Sequence, residues 1–238
     1  MVKIHPLNGG TITRPMTGFG FGFGPEIVNV PLISWYIEGA DKRIVVDTGG
    51  GDPLKAPPKA APYKREADQS LEAALKKIGV RCADIDIVVV THLHWDHCGE
   101  TDLFPKAKIY VQKEELETAR SPFPKLLANG YVKKMLEEID YTVITGDKEI
   151  AKGVKIIFTP GHSYGFQSVF VEAETRRILI AGDTFTFFKN IEQDPPVISG
   201  FYVDLKQYQK SLEKIAKLKA DLILPGHDFK VFEKESYH

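Results

Sequence analysis

The 238-residue chain is short of cysteine, with only Cys82 and Cys98. Two thiols make no disulfide framework, so a reducing, cytoplasmic setting is the expected location. Net charge is also missing: 31 Lys+Arg against 32 Asp+Glu leaves −1, with no basic run. Nucleic acid binding through phosphate neutralisation therefore has no compositional support. No apolar run approaches membrane-spanning length, and the opening MVKIHPLNGG lacks the apolar stretch of a signal peptide. Neither nucleic acid nor a membrane is an expected partner. Repeats and low-complexity tracts are absent as well. The remaining composition, 43% apolar and 26% charged, is that of a soluble globular chain long enough for a sizeable core. One domain over 1–238 is expected, with an N-terminal aromatic and glycine loop at 1–29 and a helical insertion at 112–140.

Short β-branched runs recur and predict strands: VPLISWYI (30–37), RIVVD (43–47), IDIVVV (85–90), KIYV (108–111), VKIIF (154–158), SVFVE (168–172), RILIAGD (177–183) and ADLILPG (220–226). Helical patterns lie between them. Residues 66–79 place Leu71, Ala74 and Leu75 on one face and end at Gly79, a C-cap. Residues 204–219 carry Leu205, Tyr208, Leu212, Ile215 and Leu218 as a core-packing stripe. A third region, 125–139, carries Leu126, Leu127, Val132 and Leu136. The spacer PLKAPPKAAPYKR (53–65), with four prolines, reads as an exposed loop without regular structure. Two strand layers with helices outside are the expected arrangement.

Histidine is scarce too, at seven, yet three fall in HLHWDH, His92 to His97, directly after IDIVVV. If the chain is still extended there, His92 and His94 point to one side and converge, as a metal requires. Asp96 continues that period and His97 breaks it, so the chain must turn after Trp95, with Gly99 placed to permit the turn. Ordinary loop histidines are the plain alternative; four ligand-type residues in six at a strand end argue against it. Three more strand ends each finish in one donor: His162 in TPGHS, Asp183 in AGDT and His227 in PGHD. His5 and His238 lie near the termini and are incidental. A catalytic zinc takes three protein ligands plus water, so five His and two Asp suit two ions sharing a carboxylate. The set has no cysteine and reads as hydrolytic. Two such ions hold a hydroxide and polarise a scissile carbonyl. Cys98 follows His97 but reads as a small semi-buried thiol, because the donor set is complete without it.

These residues resemble the signature of the metallo-β-lactamase superfamily, HxHxDH followed by separate His, Asp and His; DTG at 47–49 matches its first strand-end motif. The resemblance runs from about residue 30 to the C-terminus. It implies an α+β, four-layer αββα sandwich with the site on the rim between the sheets. It further implies that one metal takes His92, His94 and His162, the other takes Asp96, His97 and His227, and Asp183 bridges. Asp96 and Asp183 are then the candidate catalytic carboxylates, and Asp47 accepts hydrogen bonds that brace the ligand loops; a plain turn aspartate is the alternative for Asp47. Zinc is the expected metal, with manganese, iron or cobalt also suited to these donors. Within the superfamily the chain looks most like N-acyl homoserine lactonases, through its helical insertion, the TPGHSxGxQSxF run at 159–170 and a chain ending soon after PGHD. A glyoxalase II-type C-terminal helical domain would not fit in the eleven residues after His227. One departure stands out. The lactonases place a tyrosine three residues after the bridging aspartate, where this chain has Thr186. Tyr164 or Tyr202 are the candidates to supply a hydroxyl instead.

The implied activity is hydrolysis of a lactone or similar small ester, a small-molecule substrate. A thioester or phosphodiester hydrolase on the same site is the alternative, and a non-catalytic metal-binding protein the third reading. The pocket is expected to be lined by Phe19, Phe21 and Phe23, which face one way if GFGFGFGPE (18–26) is extended, and by Tyr164, Phe185, Thr186, Phe187 and Phe188. The same phenylalanines could instead meet a second copy of the chain in a homodimer, or pack on the domain's own core. Trp95 reads as a core anchor.

Overall fold

The computed structural model describes residues 1–57, 62–121 and 133–238. The strands β1 (Lys3–Pro15), β2 (Ile27–Glu38), β3 (Ile44–Val46), β4 (Tyr63–Lys64), β5 (Ile87–Val89), β6 (Lys108–Gln112) and β7 (Tyr141–Ile144) form one sheet in the order β4-β1-β2-β3-β5-β6-β7. The strands β8 (Lys148–Ala151), β9 (Val154–Phe158), β10 (Gln167–Glu172), β11 (Arg177–Gly182) and β12 (Leu222–Pro225) form a second, in the order β12-β11-β10-β9-β8. Among the described residues the helices are α1 (Leu71–Lys77), α2 (Trp95–Cys98), α3 (Lys113–Arg120), α4 (Lys133–Glu137), α5 (Phe188–Ile191) and α6 (Leu205–Leu218).

Side-chain alternation decides how these layers stack, because successive residues of a strand point to opposite faces. Ile33, Trp35 and Ile37 of β2, Ile44 and Val46 of β3, and Ile87 and Val89 of β5 face the second sheet. There they share one core with Val154, Ile156, Val169, Val171, Ile178, Ile180 and Leu224. The intervening Tyr36, Val45 and Val88 turn outward under Leu71, Ala74 and Leu75 of α1 and Leu116 of α3. On the other side, Ile157, Phe170, Leu179 and Ala181 turn outward under Ile215 of α6. The result is the four-layer αββα sandwich. The strands read as continuous apolar runs because both of their faces are buried.

The helix over 66–79 is shorter than its pattern suggested. A 3₁₀ turn, Ala67–Gln69, precedes α1, whose Ser70 hydroxyl accepts from Ala73 N at 3.2 Å. Within the 125–139 pattern, α4 carries Leu136, while Leu126, Leu127 and Val132 lie outside the described residues. The 53–65 spacer is not wholly irregular, because Tyr63–Lys64 pairs with β1 at Thr11 and Ile12. The Tyr63 hydroxyl sits against the carbonyls of Gly9 and Gly51, at 2.8 and 3.0 Å, and anchors that strand. Strands β3 and β5 run parallel, and β9, β11 and β12 share one direction in their own sheet. The segments that leave these five strands at their C-terminal ends carry Asp47, His92, His162, Asp183 and His227.

Candidate metal centre

The ligand run does not stay extended. His94 is the last extended residue (φ −64, ψ 147), and the chain then turns into α2, which carries Trp95, Asp96 and His97. Asp96 is thus set by a helical turn rather than by strand alternation, and His97 lies one turn beyond His94. Gly99 does not provide left-handed freedom, since its φ is −67. It is needed for close approach: a Cβ there would lie 2.4 Å from the Gly50 carbonyl carbon. Gly99 N donates to Gly49 O at 2.7 Å and Thr48 N to His97 O at 2.7 Å, so the loop after β3 clamps α2.

The structure brings all seven donors together. Candidate ligand atoms lie within 4.8 Å of one another in the groups His92–His94–His162, His92–His97–Asp183 and Asp96–His97–His227. Asp183 stands between them. Its Oδ1 is 3.1 Å from His227 Nε2 and 3.4 Å from His97 Nε2, while its Oδ2 is 3.4 Å from His162 Nε2. Gly226 allows this approach, because a Cβ there would sit 2.5 Å from Asp183 Oδ1.

Hydrogen bonds on the outer side of each ring fix which nitrogen faces inward. His162 Nδ1 is 2.8 Å from Phe201 O and His227 Nδ1 is 2.8 Å from Pro31 O. His97 Nδ1 is 2.8 Å from Asp47 Oδ2. Each acceptor is an oxygen without a proton, so each Nδ1 carries a hydrogen and each Nε2 turns inward; burial lowers His97 and His227, but Asp183 outweighs it and raises both. Thr91 completes the set: its hydroxyl donates to Asp47 Oδ2 at 2.8 Å and therefore accepts from His92 Nδ1 at 3.1 Å. Asp47 also accepts from Thr91 N at 2.7 Å and braces two rings at once. Its backbone is left-handed, φ 59, a conformation unusual for a residue other than glycine that aspartate tolerates.

This pattern fits metal ions. The Nε2 of His92 lies 2.8 Å from His94 Nδ1, and the Nε2 of His162 lies 3.3 Å from the same atom. Lone pairs aimed into one small space repel unless a cation lies between them. Buried His97 Nε2 and Asp183 Oδ1 face each other, and Oδ1 also faces His227 Nε2, yet neither makes an aligned hydrogen bond among the described residues, as expected of atoms that would meet an ion. Burial pushes His162 down to about 4 and, with the neighbouring imidazoles, holds His92 well below its usual range, which keeps both rings neutral. Burial raises Asp183, but His227, His97 and His162 outweigh it and hold the carboxylate well below its usual range.

Of the lining residues expected from the sequence, Phe19 is buried, with its ring 5.9 Å from that of His227 and 5.3 Å from that of Phe187. Phe19, Phe21 and Phe23 do not face one way. They lie in turns after a 3₁₀ segment at Met16–Gly18, with Gly22 at φ 82, and Phe21 is 68% exposed. Phe185 packs under α6 and Phe188 against the inter-sheet core, so neither faces the donors. The Thr186 hydroxyl is committed to Phe19 O and Asn190 Oδ1. Tyr164 and Tyr202 are partly exposed, at 36% and 40%. Trp95 is buried against Tyr63, ring centroids 5.2 Å apart. Cys98 is a fully buried thiol 3.5 Å from Leu93 O, which burial pushes well up.

The sequence did not single out Glu115, a fully buried carboxylate on α3. Its Oε1 accepts from Leu93 N at 2.9 Å, between His92 and His94, and its Oε2 from Gly165 N at 3.1 Å, near His162. It ties the two ligand loops together. Nothing in KEELE (113–117) separates it from the solvated glutamates beside it.

The sequence profile of the metallo-beta-lactamase superfamily matches residues 33–227. The N-acyl homoserine lactonase of Bacillus thuringiensis is 30% identical over 218 residues, covering 85% of this chain and 83% of its own. That of Bacillus cereus is 27% identical over 215 residues, with 85% and 83% covered. A mutant of AiiA from B. thuringiensis, solved with N-decanoyl-L-homoserine at its active site, superposes with a TM-score of 0.82 at 26% identity, covering 97% of this chain and 95% of that one. An N-acyl homoserine lactone hydrolase with the product N-hexanoyl-L-homoserine at its catalytic metal center gives the same TM-score of 0.82, with 26% identity and 97% and 95% covered.

Proposed function

The chain belongs to the metallo-beta-lactamase superfamily, and on that premise we propose that it is a metal-dependent hydrolase that opens a lactone or a similar small ester. Two divalent cations would be held by His92, His94, Asp96, His97, His162, Asp183 and His227. The observation that carries this reading is Asp183, whose two oxygens turn to different imidazoles, Oδ1 to His97 and His227 and Oδ2 to His162. A nitrogen-rich donor set without thiolate favours zinc, and manganese, iron or cobalt would also bind. When bound, such ions polarise a carbonyl and bring the pKa of water to about 7.

The protein's own groups do the rest. Asp47, Thr91 and the carbonyls of Pro31 and Phe201 hold the rings in the tautomer that leaves the inner nitrogens bare. Asp96, the carboxylate of the set that is partly exposed, takes a proton from the attacking water and returns it to the departing alkoxide. Phe19 and Phe187 form an apolar wall beside His227.

The relatives act on N-acyl homoserine lactones. Here Thr186 stands where the lactonases carry a phenol, and its hydroxyl is occupied by Phe19 O. Loss of a positioned acid or electrophile typically costs ~10²–10⁴-fold. Acyl homoserine lactones should therefore be opened poorly, and lactones with an aromatic or apolar body better. The test compares kcat/KM on acyl homoserine lactones, aromatic lactones, thioesters and phosphodiesters with metal-loaded protein. Aromatic lactones leading the panel support the proposal. Thioesters or phosphodiesters leading it replace the reaction, and efficient turnover of long-chain acyl homoserine lactones removes the argument from Thr186.

A further inference from the structure

Arg14 takes no part in the reading above, although it lies on the same side of the fold. On β1 it pairs with Val28 of β2, and Ile12, two residues earlier, pairs with Val30. Residues two apart on a strand share a face. That face is the one on which Ile12, Val30 and Val28 pack against Trp95, Phe19 and Phe187. The opposite face carries the exposed pair Thr13 and Asn29, bonded at 2.7 Å. The Arg14 stem therefore lies along the apolar wall next to α2, and the charge that reaches its guanidinium is that of Asp96, the residue after Trp95. Burial lowers the guanidinium from its usual value and Asp96 raises it. Arg14 is partly buried, and among the described residues its side chain makes no hydrogen bond and no ion pair. A guanidinium carries five N–H donors in a planar fork, and those of Arg14, unmatched by any protein group among the described residues and still open to solvent, are free to receive an anion.

The proposed metal reading sharpens the point. Once Asp96 is committed to a divalent cation, its charge is more than offset, and Arg14 keeps no counter-charge. We propose that Arg14 is a specificity residue that binds a carboxylate carried by the substrate, so that the preferred lactone is an anionic one with an apolar body. The inference rests on the hydrolase reading for its reaction but not for its anion. A carboxylate presents two coplanar oxygens, the geometry that a single planar fork matches.

The test uses metal-loaded protein and phthalides bearing a carboxylate at each ring position, each paired with its carboxamide. The readout is the ratio of kcat/KM for carboxylate over carboxamide, which a purely structural role for Arg14 would not move. For at least one position the ratio should be about tenfold or more, the scale of a charge-assisted hydrogen bond. Arg14→Met should bring it close to one, and Arg14→Lys, which keeps the charge but loses the fork, should fall between. Calorimetric titration with the corresponding phthalan carboxylates, which have no carbonyl to attack, reads binding without turnover. If lactones are opened but no position shows a carboxylate preference, or the preference survives Arg14→Met, the Arg14 proposal is overturned and the hydrolase reading stands. If no lactone is opened and phthalan carboxylates still bind through Arg14, the anion site stands and the reaction falls. Absent or Arg14-independent binding in that case overturns the anion site as well.

Discussion

Replacing Asp47 by asparagine should strip metal from the site without touching a donor. Asparagine tolerates the left-handed backbone that Asp47 adopts at φ 59, so the turn itself is preserved. The carboxylate accepts three bonds, from Thr91 N at 2.7 Å, Thr91 Oγ1 at 2.8 Å and His97 Nδ1 at 2.8 Å. An amide replaces one acceptor by a donor. If its NH₂ faces His97, that ring must accept at Nδ1 and carry its proton on Nε2, the atom that should meet the metal. If the amide flips, the NH₂ meets the Thr91 N–H, which the backbone fixes in place. Either way a hydrogen bond to a charged acceptor is lost, and either the ring is held in the wrong tautomer or a buried donor faces a donor, at about 1.5–3 kcal/mol. That corresponds to a factor of roughly 10–150 in metal affinity. Competition titration with a chromophoric chelator reads this directly, and the loss should be larger for the ion that His97 holds. Retention of both ions within about threefold of wild-type affinity would refute the claim that Asp47 fixes the ligand tautomer.

The remaining predictions concern the donors, the loops and the ions. His97→Ala should lose mainly one ion and Asp183→Ala should weaken both; equal single-ion loss in the two variants, by elemental analysis, would contradict the bridging role. Glu115→Ala orphans two buried N–H groups and should cost about 2–5 kcal/mol by urea denaturation; a change below 1 kcal/mol, roughly, would show that the loops hold without it. Burial pushes the Glu115 carboxyl up against the bonds from Leu93, Ser163 and Gly165. A group whose folded value is raised contributes stability that is present below its unfolded value, about 4.3, and lost as pH rises through the folded one. Wild type should therefore lose ground to Glu115→Gln as pH climbs above that unfolded value, and a gap that widens in favour of wild type would reverse the sign. Chelation should lower Tm as well as activity, with both restored by zinc, because ions that bind the folded chain stabilise it by linkage; an unchanged Tm would mean that the cluster does not need them.

Much of this architecture was legible because strands buried on both faces need no alternation to be recognised. IVV at 44–46 and at 87–89 became β3 and β5. The 13-residue β1 was missed. KIHPLNGGTITRP carries two prolines and a Gly9-Gly10 pair, and a register shift between Asn8 and Thr11 breaks its period. Strands β7 and β8 are short and largely unburied, so no apolar run marks them. The donors were legible as polar residues ending apolar runs. Their geometry was less so, since α2 is only four residues long and too short for a helical period. The aromatic lining was misread where the run FTFF (185–188) gives no alternation to orient. Phe185 turned to α6 and Phe188 to the inter-sheet core, while Phe187 stayed beside Phe19. Glu115 and Arg14 carry no signal at all, because their roles depend on contacts made by loops and strands far apart in sequence.

The central claim is that Asp183 joins two metal sites. Anomalous diffraction at the zinc edge, on crystals of protein purified without chelator and loaded with zinc, tests it most directly. The account predicts two peaks per chain, one among His92, His94 and His162 and one among Asp96, His97 and His227, with Asp183 between them. A single peak, or a second one lying away from Asp183, would contradict it.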